Sequence, residues 1–284
     1  MSDALTIPKM NFPDIKETEN LLILSWDEQA RVFKENLEVI RLRPTKKAIH
    51  DIRVAVKKLR CYLRLNGELT GVQSVEEFKE VKVFFKRMGK LRDFENTYLI
   101  KQKLLQDEKF SLLHFKKYLQ SAIRLEKQWV RQSALDFNFS LIDQISGKMH
   151  HCQAGITNDI IVGKIKELAA DIFKKVHTLS DDLEKNVHEI RKLLKALFYW
   201  IAILPAEILE SQARYKKIEK LLDKMGDWQD LYMFLYKVKQ YKKQYSVKGT
   251  EEIEFLKRIR EKAKDMQKEI LNNIARKIKL ITPT

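Results

Sequence analysis

The sequence predicts an all-α protein built from two copies of one helical unit, and three observations carry that reading. Glycine and proline together number only 13 of 284 residues, whereas an average chain holds about 12 % and strand-and-turn folds depend on those punctuators. Apolar residues recur at helical period along most of the chain, and no segment alternates as a strand would. Two short motifs also recur in the same order. His50-Asp51-Ile52-Arg53-x3-Lys57-x-Leu59 returns as His188-Glu189-Ile190-Arg191-x3-Lys195-x-Leu197 at an offset of 138, and Met88-Gly89-Lys90-Leu91-Arg92-Asp93 returns as Met225-Gly226-Asp227-Trp228-Gln229-Asp230 at 137. Packing asks for apolar residues at helical spacing, not for His, Arg and Lys on one stripe, so the recurrence marks a tandem internal repeat.

Residues 1–20 carry Pro8 and Pro13, two of the five prolines, and read as an extended lead-in. A helical pattern runs from Asp27 to Leu42 and stops at Pro44, because the residue before a proline is pushed out of the helical region. The next helix starts at Thr45, an N-capping type, and ends at Asn66-Gly67. Ser74-Val75-Glu76-Glu77 has the spacing of a capping box and opens a helix to Met88-Gly89, followed by helices over 90–105 and 108–132. The stretch 136–158, with Gly147 and Gly155, has the weakest pattern and reads as the junction between the halves. Helices are then expected over 159–178, 181–204, 206–225, 227–245 and 250–279, punctuated by Ser180, Pro205, Gly226 and Gly249.

The formal net charge is +16, and each half carries +8: 28 basic and 20 acidic residues in 1–150, 27 and 19 in 151–284. The basicity is therefore no detachable tail, and its field favours polyanionic partners. Hydrophobic residues make up 44 % of the chain, which argues against disorder. Cys61 and Cys152 are too few for a disulfide framework and read as reduced thiols. The N-terminus has no signal-peptide core, and the longest apolar runs, such as 196–204, fall far short of the ~18 residues of a membrane span. A soluble, cytoplasmic protein is expected.

The helix beginning at Thr45 concentrates the charge. Lys46, His50, Arg53, Lys57, Arg60 and Arg64 fall within an arc of about 80° on a helical wheel, beside an apolar arc of Ile49, Ile52, Ala55, Val56, Leu59 and Leu63. A solvated face usually mixes charge signs through Glu-to-Lys pairs four apart. Here Asp51 is the only acid between residues 45 and 65. Such a face is an anion-binding surface.

Catalysis needs an activated nucleophile or a metal-carboxylate cluster. The residues three before His50, His114, His177 and His188 are Lys47, Ser111, Lys174 and Lys185, so no Glu-x-x-His di-iron motif is present. Glu252-Ile253-Glu254 lies on an expected helix, where residues two apart share no face. His150-His151-Cys152 offers zinc ligand types, but adjacent helical residues chelate poorly and no spaced partner set accompanies them. A non-enzymatic protein without cofactor or metal is expected.

IHDIRVAVKKLR (49–60) with MGKLRD (88–93), and VHEIRKLLKAL (187–197) with MGDWQD (225–230), resemble the CHAD domain family, the conserved histidine α-helical domain, over roughly residues 25–280. The resemblance implies two four-helix bundles related by pseudo-twofold symmetry, residues 21–150 forming the first repeat and 151–284 the second. It implies inorganic polyphosphate as ligand, held by basic residues around a central cavity, and association with polyphosphate granules. On that reading Lys46, His50, Arg53, Lys57, Arg60 and Arg64 form one wall. Lys82, Lys86 and Lys90 face it with Arg92, and His188, Arg191 and Lys195 continue it in the second copy. There Phe198 and Ala202 replace Arg60 and Arg64, and Gln229 replaces Arg92, so the first half is expected to bind more strongly. Lys217, Lys220 and Lys224, or Lys257, Arg260, Lys264 and Lys268, are candidate compensating stripes.

A linear phosphate polymer has charge but no bases to read, so a row of cations suffices: Arg by bidentate forks, Lys as point charges. A bound anion raises a histidine pKa and neighbouring cations lower it. His50 and His188 either donate to phosphate with proton uptake or hydrogen-bond a neighbouring helix. Asp93 and Asp230 read as local caps of a following helix, with orientation of the stripe's Arg or His as the alternative. The rival ligand is nucleic acid on the same basic surface, with Tyr62, Tyr199 and Trp200 stacking bases, although Tyr199 and Trp200 sit in an apolar run and read as core.

Overall fold

The computed structural model describes residues 19–72, 78–105, 112–205, 212–245 and 251–281. Among these, nine α-helices and one short 3-10 turn follow one another without a strand: α1 Leu21–Leu42, α2 Lys46–Thr70, α3 Phe78–Leu104, α4 Leu113–Leu135, α5 Ser140–Cys152, α6 Asn158–Leu179, α7 Leu183–Ile201, α8 Gln212–Tyr245 and α9 Glu251–Ile278. The expected extended lead-in over residues 1–18 and the Ser74–Glu77 capping box lie outside the described residues.

The helix starts follow local chemistry. Thr45 accepts the Ala48 N–H at 3.2 Å and caps α2 as its type predicts. Asn20 accepts the N–H groups of Leu22 and Ile23, both at 3.0 Å, so α1 begins six residues before Asp27. Asn158, at the repeat offset from Asn20, accepts the Leu21 N–H and donates to the Glu19 carbonyl, both at 3.0 Å, which ties the start of α6 to that of α1.

Several boundaries differ from expectation, each for a physical reason. α2 runs through Gly67 and stops at Gly71, whose φ of 71° is the left-handed conformation that ends a helix cheaply. α3 and α8 run unbroken through Gly89 and Gly226, where the missing Cβ serves a neighbouring side chain instead of a turn. The expected junction at 136–158 holds a helix, α5, which buries Leu141, Ile142, Ile145 and Met149 and whose Ser146 Oγ accepts from Trp26 Nε1 at 2.9 Å.

α1 lies along α2, α3 along α4, α6 against α7 and α8 along α9, and the halves of the chain meet through α2 against α7 and α3 against α8. The apolar core has two parts, each drawn from both halves. The larger joins α1, α2, α5, α6 and α7 with the near ends of α3, α4, α8 and α9. The smaller joins the far ends of α3, α4, α8 and α9 through Leu104, Phe115, Leu119, Phe234, Val238, Leu256 and Ile259. Trp26, Tyr62, Tyr199 and Trp200 are fully buried, each such ring contributing on the order of 2 kcal/mol. Trp200 Nε1 donates to the Cys61 carbonyl at 2.7 Å and locks α7 to α2.

Candidate functional site

Amphipathic helices α2 and α7 bring their repeated motifs together where they cross, with α3 and α8 closing the sides. From α2, Arg53 donates to the Phe85 carbonyl at 3.3 Å and its guanidinium covers the Phe85 ring at 4.6 Å. That fit depends on Gly89, since a Cβ there would stand 3.2 Å from Arg53 Nη1. The second copy repeats the arrangement more loosely: a Cβ on Gly226 would stand 3.8 Å from Arg191 Nη2. The repeated glycine thus makes room for the repeated arginine.

One helical turn beyond the arginines, Lys57 and Lys195 occupy matching positions of the recurring motif, and Lys57 lies in the field of Lys195. Burial holds the Arg53 pKa at about 10, with Asp93 and Asp230 opposing the drop and Arg92 adding to it. Lys57 is pushed far below the ordinary lysine range by burial, then by Lys195, Arg53, Arg191 and Arg92. Lys195 is held at about 7 by burial and then Arg191, with Cys61 and Asp223 opposing, and its ammonium lies 5.6 Å from the centre of the Tyr199 ring. Arg191 is lowered by burial against Tyr199, Asp230 and Asp223. Five basic side chains, Arg53, Lys57, Arg92, Arg191 and Lys195, therefore share one site with three carboxylates, Asp93, Asp223 and Asp230; Asp227 beside Asp223 and Asp230 pairs with Lys224 at 3.2 Å, and Glu95 beside Arg92 pairs with Lys127 at 3.8 Å. A surplus of partly desolvated cations is costly without further negative charge, and tetrahedral oxyanions fit such an array of donors.

Asp93 and Asp230 correct the capping expectation. Both lie inside unbroken helices and face the arginines, and Asn96 donates a hydrogen bond to Asp230. Burial raises both carboxyls despite the cations beside them. His188 is exposed, with Nδ1 3.4 Å from Gln229 Oε1, and His50 is half-buried.

The α2 stripe divides. Lys46, Arg60 and Arg64 are exposed, and Arg64 rests over the Trp200 ring at 5.7 Å. On α3, the side chains and glycine that reach Arg53 are Phe85, Gly89, Arg92 and Asp93, whereas Lys82, Lys86 and Lys90 are exposed. Lys217 and Lys220 are exposed on α8, and Lys224 pairs with Asp227 at 3.2 Å. The stripe on α9 is a mixed-charge solvated face: Lys257 pairs with Glu254 at 2.6 Å, Lys264 with Glu261 at 2.9 Å and Arg260 with Glu261 at 3.6 Å.

Tyr62, Tyr199 and Trp200 are at most 1 % exposed, so they cannot stack nucleobases, and that part of the nucleic-acid reading fails. Lys237 adds a cation no motif announced: it lies over Phe94 at 3.9 Å within the field of Asp93. His150 pairs with Asp27 at 3.0 Å, and among the described residues no group of three His, Cys, Asp or Glu could hold a metal ion. No described helix is long and apolar enough to cross a membrane.

Comparison with known proteins agrees with this architecture. A search of curated proteins found no match. The crystal structure of the CHAD domain from the plant Ricinus communis superposes with a TM-score of 0.71, covering 91 % of this chain and 90 % of that one at 14 % identity, a likeness of fold. The CHAD domain family model matches residues 25–237. The chain belongs to the CHAD domain family.

Proposed function

We propose that this protein binds inorganic polyphosphate without turning it over, threading the polymer past the cluster where α2 crosses α7. The observation that carries the reading is the convergence of Arg53 and Lys57 with Arg191 and Lys195 on too few carboxylates. Phosphate oxygens supply the missing charge, and the exposed Lys46, Arg60, Arg64, Lys82, Lys86 and Lys90 extend a positive track on either side. Family resemblance supports polyphosphate as the polymer and a cytoplasmic location at polyphosphate granules. The repeat offset, and the reciprocal bonds from Asn20 Nδ2 to the Ile156 carbonyl at 3.1 Å and from Asn158 Nδ2 to the Glu19 carbonyl at 3.0 Å, support reading α1–α4 and α6–α9 as two four-helix sets about a pseudo-twofold axis.

Calorimetric titration with long-chain polyphosphate tests the reading. Arg53→Ala/Arg191→Ala is expected to weaken binding about 100-fold, on the order of two charge-assisted hydrogen bonds, and wild-type affinity should fall steeply with salt through counterion release. Absence of binding at low salt, or unchanged affinity in a folded double variant, overturns it.

A further inference from the structure

The outer face of α8 carries a feature that the central cluster does not use. Trp228, Tyr232 and Tyr236 stand one turn apart, and Tyr232 and Tyr236 are 50 % and 46 % exposed. The Trp228 and Tyr232 rings lie nearly parallel, 17° apart with centroids at 5.7 Å, and the Tyr236 hydroxyl accepts from Gln240 Nε2 at 2.9 Å. Trp228 is seated against the larger core, so the ladder is anchored at its base. Lys239 and Lys243, both exposed, share the arc of about 80° that these rings occupy on a helical wheel.

Between residues 228 and 245 this helix has four lysines and one carboxylate, Asp230, and Asp230 faces the central cluster. On its own helix, therefore, the charges that share the ladder's arc are the lysines Lys239 and Lys243. Gln229, the next residue after Trp228 in sequence, meets His188 on α7 at 3.4 Å.

We infer that this face binds single-stranded nucleic acid, with bases on Tyr232 and Tyr236 and phosphates on Lys239 and Lys243. Four residues of helix advance about 6 Å, wider than the ~3.4 Å between stacked bases. That step suits an extended strand that splays its bases onto side chains. Aromatic rings at this exposure offer a face to any base, so the binding is sequence-tolerant and excludes duplexes, whose bases are already stacked. Polyphosphate, which has no bases, gains nothing from the rings. The inference does not depend on which anion occupies the central cluster.

Fluorescence anisotropy with a short fluorescein-labelled oligothymidylate, at low and moderate salt, tests it. The exposed pair Tyr232→Ala/Tyr236→Ala is expected to lose about 30-fold or more in oligonucleotide affinity, while Tyr232→Phe/Tyr236→Phe keeps it and polyphosphate affinity stays within twofold of wild type. Four results overturn the inference. They are no oligonucleotide binding, which leaves the face to a protein partner; binding unchanged by the alanine pair; a duplex bound as tightly as the single strand; or equal loss for oligonucleotide and polyphosphate.

Discussion

Arg53 lies across Gly89, its Nη1 3.2 Å from the point a Cβ would occupy, and the same nitrogen donates to the Phe85 carbonyl at 3.3 Å. A methyl at residue 89 pushes the guanidinium off that seat, while alanine improves the helix by roughly 0.5–1 kcal/mol over glycine. Gly89→Ala is therefore expected to leave stability near wild type, the two effects offsetting, and to weaken polyphosphate binding about tenfold. Gly226→Ala, with 3.8 Å to Arg191 Nη2, meets only ordinary contact, so it should stabilise by about 0.5 kcal/mol or more with binding retained. Urea denaturation and calorimetry on the pair check this; equal binding losses would contradict the asymmetry.

Lys57 is expected to cost stability in the protein alone. Burial, and then four neighbouring cations, disfavour its ammonium. Lys57→Met keeps the stem and removes the charged head, and replacing a desolvated charge by an apolar group of like shape is commonly stabilising. We expect a gain of about 1 kcal/mol in unfolding free energy and a loss of about tenfold in polyphosphate affinity. A variant that is both less stable and equally tight would sink the role given to Lys57.

The rim lysines should behave differently. Lys82 and Lys86 are exposed, so their ammonium groups are already hydrated and act through a screened field. Lys82→Ala/Lys86→Ala is expected to weaken binding only several-fold at low salt, to flatten the salt dependence, and to converge on wild type as salt is raised. A loss that persists unchanged at high salt would place these lysines in direct contact with the ligand.

The helical class was legible because it is written as periodicity. What periodicity omits is the neighbour. A wheel puts Arg53, Arg60 and Arg64 on one arc, yet α3 and α7 cover the level of Arg53 and Lys57 and leave Arg60 and Arg64 exposed. Gly89 and Gly226 read as stops because glycine usually punctuates, while here its small size serves an arginine from another helix. Asp93 and Asp230 were visible in the repeated motif, but their partners lie up to 177 residues away. Tyr232 and Tyr236 belong to no repeat, and only their exposure distinguishes them from core tyrosines such as Tyr62.

Lys195 is expected to make both stability and polyphosphate binding depend on pH, in opposite directions. Burial and Arg191 hold it at about 7, against about 10.4 for lysine in the unfolded chain. Between those values the unfolded chain holds the proton and the folded protein does not, so this residue lets stability rise with pH across that window and adds no slope below about pH 7. A phosphate anion placed among Lys195, Arg191 and Arg53 favours the ammonium again. Binding above about pH 7 then takes up a proton, and affinity falls as pH rises, by up to about tenfold per pH unit for each proton. Titrations in two buffers of unlike ionisation heat, from about pH 6 to 9, count that proton directly. Lys195→Arg keeps the charge at every pH and is expected to flatten the profile, a result that titration of His50 or His188 would not produce. An affinity independent of pH in the wild type would show that Lys195 holds its proton whether or not the polymer is bound.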